Sequence, residues 1–287
     1  FASATTLLED MDIYEHCINL FDFNNDGNVD LLLTCYNTPL LYKGNGDGTF
    51  TKVENFALED NFSISDNDDN KTAELYYTGL TFTADFDGDG IQDILTKDNG
   101  GNPILYHGNG DGTFAKIANS NLYAVRGGTM AIGDFNRDGY LDVAATGWSD
   151  EAGTDVCVVN KNNGDGTFTT VVSDNLIGAE KGAVMFADIN NDGYPDLFVT
   201  GESCPEGWNR IAYVFKNNDD GTFGAKTATE LPGSCKGGAD WADVNGDGIV
   251  DIALMGYNDK AFLTKHFSVW NGSDVTANTA PTAPAGL

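Results

Sequence analysis

One nine-residue pattern, Asp-x-Asn/Asp-x-Asp-Gly-x-x-Asp, recurs five times, at Asp22–Asp30, Asp85–Asp93, Asp134–Asp142, Asp188–Asp196 and Asp243–Asp251. The copies start 63, 49, 54 and 55 residues apart. A unit of this length cannot bury an apolar face alone, so such chains fold by stacking one supersecondary unit on the next. The repeat therefore limits the chain to an array, a solenoid or a propeller.

A second signal follows each of the first four loops: Asn45-Gly-Asp-Gly-Thr-Phe50, Asn109-Gly-Asp-Gly-Thr-Phe114, Asn163-Gly-Asp-Gly-Thr-Phe168 and Asn218-Asp-Asp-Gly-Thr-Phe223. Asp-Gly supplies the positive φ angles of a hairpin turn. A Leu lies eight residues beyond each Phe (Leu58, Leu122, Leu176, Leu231), which predicts an outer strand of similar length in every unit. Short apolar runs such as 183–187, 197–200 and 211–215 lie between clusters of Gly, Asn and Asp and read as strands. Four strands per repeat make propeller blades, so the expected class is an all-β propeller of four-stranded blades.

The fifth unit offers strands near Ala239–Ala242, Ile252–Met255 and Phe267–Trp270, then ends without a Gly-Thr-Phe segment. Phe1–Leu8 resembles the missing outer strand. Its insertion into the last blade would close a five-bladed ring and remove an open sheet edge. The rival account makes Phe1–Leu8 the tail of a blade from a larger ring. Residues 1–273 are expected to form the propeller, and 274–287, small and proline-bearing, a linker that could lead to a further C-terminal module. Opening on Phe1 suggests a processed or trimmed chain.

The loop residues are oxygen donors at fixed offsets. Calcium takes six to eight oxygens at about 2.3–2.6 Å, so a site needs several carboxylates from one curled segment. In the first loop Asp22, Asn24, Asp26 and Asp30 supply side-chain oxygens and Asn28 a backbone carbonyl, with Gly27 allowing the bend. The corresponding sets are Asp85, Asp87, Asp89, Ile91 and Asp93; Asp134, Asn136, Asp138, Tyr140 and Asp142; Asp188, Asn190, Asp192, Tyr194 and Asp196; and Asp243, Asn245, Asp247, Ile249 and Asp251. About five calcium ions per chain are expected, the second loop, with four carboxylates, binding most tightly. An EF-hand needs Glu at position twelve, where this chain has Leu33, Thr96, Ala145, Val199 and Leu254. Magnesium keeps its waters and suits such a cage less well. The plainer reading, that Asp, Asn and Gly merely make good turns, serves one copy better than five.

The acidity of the chain reads either as solubility or as carboxylates serving as metal ligands, and their placement decides between the two. Asp and Glu number 44 against 15 Lys and Arg, a formal charge of −29, which disfavours nucleic acid and anionic membrane. No apolar run approaches the ~20 residues of a membrane span, so membrane insertion is not expected. Five cysteines are too scattered for a disulfide scaffold or zinc site; Cys17 with Cys35, and Cys204 with Cys235, are the conceivable bridges.

At the Asp-rich loops the sequence resembles the FG-GAP/VCBS repeat family, whose best-known fold is the integrin α-subunit propeller. That resemblance covers nearly all of residues 1–273. It implies calcium in loops joining the first two strands of each blade. The Phe-Gly…Gly-Ala-Pro element is not evident, and the Gly-Asp-Gly-Thr-Phe turn is closer to bacterial VCBS-type repeats. Integrin-like partners are therefore not implied. Rings of seven or eight blades are common in the family.

If calcium is structural, function falls to the opposite face. Trp148, Trp208 and Tyr257 are expected in second-to-third-strand connections, with Tyr76 and Tyr77 ahead of the second blade, as platforms for sugar rings or protein anchors, or else as edge packing. Arg126, Lys181 and Lys236 each precede a Gly at the start of an inner strand. They would form a basic ring for an anionic ligand, or else simply compensate charge. No Ser/His/Asp or zinc constellation includes His16, His107 or His266. The expected role is a secreted or cell-surface module that binds glycan or extracellular protein and is not catalytic. The alternative is a polysaccharide lyase or glycosidase, with Glu15, Glu180, Glu202 and Asp240 as the first carboxylates to test.

Overall fold

A computed structural model describes residues 17–34, 39–58, 80–98, 101–171, 173–229, 231–244 and 246–257, and the backbone of 265–270. The chain divides into two compact units, Phe1–Ser120 and Asn121–Leu287. In the first, β1 (Cys17–Phe21), β2 (Asp30–Thr34), β3 (Leu40–Gly44) and β4 (Phe50–Lys52) form one antiparallel meander. A second meander contains β5 (Phe82–Ala84), β6 (Asp93–Lys97), β7 (Pro103–Gly108) and β8 (Phe114–Lys116). The other unit holds β9 (Arg126–Gly133) to β12 (Phe168–Val171), with β10 at Asp142–Ser149 and β11 at Thr154–Asn162. Its next sheet is β13 (Glu180–Ala187), β14 (Asp196–Ser203), β15 (Asn209–Asn217) and β16 (Phe223–Ala228). Its last described sheet is β17 (Cys235–Ala242), β18 (Asp251–Tyr257) and β19 (Lys265–Trp270). No helix among the described residues is long and apolar enough to cross a membrane.

Sheet stacking follows from period-two alternation. In β14, Leu197 and Val199 pack toward β9–β12, whereas Phe198 faces the opposite cluster with Ile252 and Leu254. In β15, Ile211 and Phe215 take the first side and Ala212 and Val214 the second. A sheet covered on both faces reads as a continuous apolar run, which is why 197–200 and 211–215 looked unbroken. In the first unit, Phe21, Leu32 and Leu41 meet Ile94, Ile104 and Tyr106 in one cluster.

The Gly-Asp-Gly-Thr turns form as expected. The Asn45 amide donates to the Thr49 carbonyl (3.0 Å), and Asp47 accepts both the amide and the hydroxyl of Thr49 (3.0 and 2.6 Å). Gly48 sits at φ +87°. The outer strands are shorter than the Phe-to-Leu spacing suggested, three to six residues, and each stops before its Leu. Leu58 and Leu231 instead wedge between successive sheets, 7% exposed each.

The starts of the inner strands require a correction. A β-bulge lies there in three sheets: Arg126 pairs with Trp148, Glu180 with Glu202, and Cys235 with Tyr257, after which the register shifts. Gly127, Lys181 and Lys236 are the bulged residues, at φ +67°, +55° and +51°. Opposite each stands a Gly (Gly147, Gly201, Gly256) near φ +149°. Arg126 is therefore one position out of frame with Lys181 and Lys236, and the three do not share a repeat position. Trp148 and Tyr257 also lie at the ends of β10 and β18 rather than in connections. Phe1–Leu8, Glu15, His16, Tyr76, Tyr77, Asn245 and 274–287 fall outside the described residues.

Candidate functional site

Each Asp loop joins an inner strand to the second strand, and the ninth-position Asp is the first residue of that strand in all five copies. Its carboxylate staples the blade. Asp30 accepts the amides of Phe23 and Gly44 (3.0 and 2.7 Å), and Asp93 those of Phe86 and Gly108 (2.8 and 2.9 Å). Asp142 takes Phe135 and Asn162 (3.0 and 2.8 Å), and Asp196 takes Ile189 and Asn217 (3.2 and 2.9 Å). Asp251 accepts the Val244 amide at 2.9 Å. Each such Asp is at most 1% exposed. Burial weakens four of these acids, raising the pKa to about 6 for Asp93 and about 7 for Asp142 and Asp196, against the pull of those amides; Asp30 moves the same way.

The first-position Asp curls the loop. Asp22 accepts the Asp26 and Gly27 amides (3.1 and 2.8 Å), and Asp134, Asp188 and Asp243 bind the same two amides of their loops. Asp85 accepts Gly88 and Gly90 (2.7 and 2.9 Å). Asn24, Asn136 and Asn190 each accept the amide two residues on, as Asp87 does at 3.3 Å. Asp26, Asp89, Asp138, Asp192 and Asp247 take the seventh-position amides of Asn28, Ile91, Tyr140, Tyr194 and Ile249.

Each of these oxygens keeps further lone pairs. Asp85, Asp87 and Asp89 place carboxylate oxygens within 4.8 Å of one another, a span one cation can bridge. The hard-oxygen donor set fits calcium in its chemistry. Fourth-position residues link loops: Asn25 donates to the Gly90 carbonyl (2.9 Å) and Asn191 to Gly248 (2.8 Å).

The structure adds a participant that sequence reasoning missed. The third strand presents Lys43, His107, Lys161 or Lys216 two places before the Asn of each Gly-Thr-Phe turn. Lys43 Nζ lies 2.8 Å from Asp26 Oδ2, Lys161 Nζ 3.2 Å from Asp138 Oδ2, and Lys216 Nζ 3.3 Å from Asp192 Oδ2. The Lys43 hydrogen bond, with the Asn28 amide, draws Asp26 down to about 2. The signal was legible as a Lys or His fixed in register ahead of each turn.

At the other end of the strands lies a second polar cluster. Lys181 donates to Glu202 Oε2 (2.9 Å), and Arg210 Nη2 is 3.6 Å from Glu202 Oε1. Burial would raise Glu202, but Lys181, Cys235 and Arg210 hold it below its ordinary value. Burial lifts Glu180, with help from the charge of Asp155. Asp155 is 2% exposed, accepts the Cys204 amide at 2.6 Å, and is itself raised by burial. Arg126 bonds Asp150 (3.0 Å) and lies 5.7 Å over the Trp148 ring, whose Nε1 also donates to Asp150. Cys204 and Cys235 are free thiols, so that conceivable bridge is absent; Cys235 Sγ instead accepts from Arg210 Nε at 3.1 Å. The Cys17–Cys35 pairing lies outside the described residues.

Four-stranded antiparallel blades, each carrying an oxygen-rich loop between its first two strands, define a repeat protein of the β-propeller class. The chain belongs to the FG-GAP-like repeat family, whose profile matches residues 22–76, 85–145 and 134–199. Cartilage acidic protein 1 of Xenopus tropicalis is 29% identical over 177 residues, 56% of this chain and 26% of that protein. The chain thus spans about a quarter of that relative's length. A solved lectin of Agrocybe aegerita, described as recognising non-reducing terminal N-acetylglucosamine, matches with a TM-score of 0.56 at 20% identity, over 92% of this chain and 67% of that one. An AofleA mutant of Arthrobotrys oligospora matches at TM-score 0.51 and 12% identity, over 90% and 70%. Both likenesses concern the fold.

Proposed function

We propose that this chain is a calcium-stabilised extracellular recognition module that binds glycan or protein through the strand ends opposite the Asp loops. The observation that carries this reading is Trp208. It sits in the β14–β15 turn, 57% exposed, with its backbone fixed at φ +63° and its amide donating to the Ser203 carbonyl at 2.8 Å. A large aromatic held outward on a pre-organised turn binds a sugar face or protein pocket at little entropic cost. Trp148 and Tyr257 end neighbouring second strands on the same rim. The lectin likeness favours carbohydrate. The Asp loops, at the opposite strand ends, serve calcium and blade geometry. Lys181 is neutralised by Glu202, and Arg126 by Asp150, so a basic ring for an anionic ligand has less support than aromatic stacking.

The test is a glycan array, with an extracellular-protein panel, probed with the calcium-loaded chain. Binding is expected, and Trp208→Ala should weaken it about thirtyfold, as loss of a hot-spot anchor does, without changing calcium-dependent melting. A chain that binds nothing on either panel, or a variant that binds as well as wild type, would contradict the proposal.

One observation favours the enzymatic alternative. Glu180 and Glu202 are paired in register and their acidities are pushed apart, as an acid and its partner carboxylate require. Release of reducing or unsaturated sugar ends that Glu180→Gln abolishes would establish it.

A further inference from the structure

The position that carries Lys in three described blades carries His107 in the second, and the difference is chemical rather than steric. A protonated Lys can only neutralise carboxylates, whereas an imidazole nitrogen offers a lone pair to a metal. We propose that the second loop is a mixed imidazole–carboxylate site for a divalent ion of the zinc class, held by His107 Nδ1, Asp87 and Asp93. The inference builds on the loops as cation sites and departs from that reading in the ion chosen at this one.

The geometry is already convergent. His107 Nδ1 lies 2.8 Å from Asp87 Oδ2 and 3.5 Å from Asp93 Oδ1, and the three ligand atoms fall within 4.8 Å of one another. Nδ1 is shielded from solvent and makes no hydrogen bond, even at 2.8 Å from Asp87. At that distance, with no hydrogen bond joining them, both atoms are open to a shared ion. Tetrahedral zinc with bonds of about 2.0–2.2 Å sets its ligands roughly 3.3–3.5 Å apart; the 3.5 Å from Nδ1 to Asp93 meets this, and the 2.8 Å to Asp87 reaches it by a small opening.

The supporting contacts are also in place. Asp93 is fixed by the amides of Phe86 and Gly108 and is fully buried. His107 Nε2 lies 3.9 Å from Asp89 Oδ2, beyond hydrogen-bond distance, so the ring sits near that carboxylate without being oriented by it. Imidazole with carboxylates suits zinc, cobalt or nickel better than calcium, which prefers an all-oxygen shell. Loops one, three and four present Lys43, Lys161 and Lys216 instead and keep the oxygen-only set.

The experiment titrates ZnCl2 into the metal-stripped chain by calorimetry, with and without excess calcium. Co2+ absorption reports the coordination geometry. Wild type is expected to bind one zinc that excess calcium does not displace, with a tetrahedral cobalt spectrum. His107→Lys, which installs the residue of the other blades, and His107→Ala should each weaken zinc by about tenfold or more. Both should retain the wild-type circular dichroism and the calcium-induced rise in melting temperature. Absence of zinc binding in wild type would overturn the inference, as would zinc affinity unchanged in both variants. Zinc lost only on replacing His16 and His266 would overturn it too. Zinc binding without a calcium effect on melting would leave this site standing and remove the calcium reading; the reverse result would do the opposite.

Discussion

Asp196→Ala is expected to lower the melting temperature by roughly 10 °C even in metal-free protein. The substitution leaves the Ile189 and Asn217 amides buried without acceptors. Each orphaned donor costs about 1–3 kcal/mol, and a chain of this size loses about 2–4 °C per kcal/mol. Asp26→Ala supplies the contrast. Asp26 is a loop-tip residue whose partners are Lys43 and the Asn28 amide and side chain. Its loss should change metal-free melting little and reduce the calcium-dependent rise. Thermal unfolding of the two variants, with and without calcium, separates the staple from the ligand. Equal losses in the metal-free state would mean that the ninth-position Asp has no special structural role.

The second large effect is a reversal of pH dependence by metal. In the metal-free fold, burial holds Asp93 at about 6 and Asp142 and Asp196 at about 7, above their ordinary 3.8. A carboxyl raised in the folded state binds protons that the unfolded chain releases. Its favourable contribution is therefore complete below about pH 4 and lost as pH rises through 6 to 7. Metal-stripped protein should be more stable at pH 5 than at pH 8, with melting temperatures differing by on the order of 5 °C or more. With calcium bound, the ionised carboxylates face a divalent cation and the order should invert. The same pH slope in both states would show that these carboxyls do not face the bound ion.

Much of this was legible because the chemistry repeats. The ninth-position Asp opens β2, β6, β10, β14 and β18, and the Gly-Asp-Gly-Thr turns close where their φ requirements place them. What was not legible depends on partner strands. Arg126, Lys181 and Lys236 share the pattern of a basic residue before Gly, yet the bulge opposite Gly147, Gly201 and Gly256 puts Gly127, not Arg126, in frame with the two lysines. Register across a bulge is set by the neighbouring strand, and one chain segment does not display it. The Lys43, His107, Lys161 and Lys216 position was visible as a column of basic residues. Its reach into the Asp loops became apparent only when the third strand was laid beside the second. The Phe-to-Leu spacing misled for a similar reason: Leu58 and Leu231 are periodic because successive sheets need a wedge, not because the outer strand extends to them.

The central claim, that the Asp loops are structural calcium sites, is tested most directly by counting calcium on the dialysed full chain and comparing its melting with and without the ion. In zinc-free buffer about five ions per chain are predicted, with a melting rise well above 10 °C, since each site at a hundredfold excess over its Kd adds about 2.7 kcal/mol. No bound calcium and unchanged melting would mean that the five loops are turns held by their own amides, and the account would fail at its base.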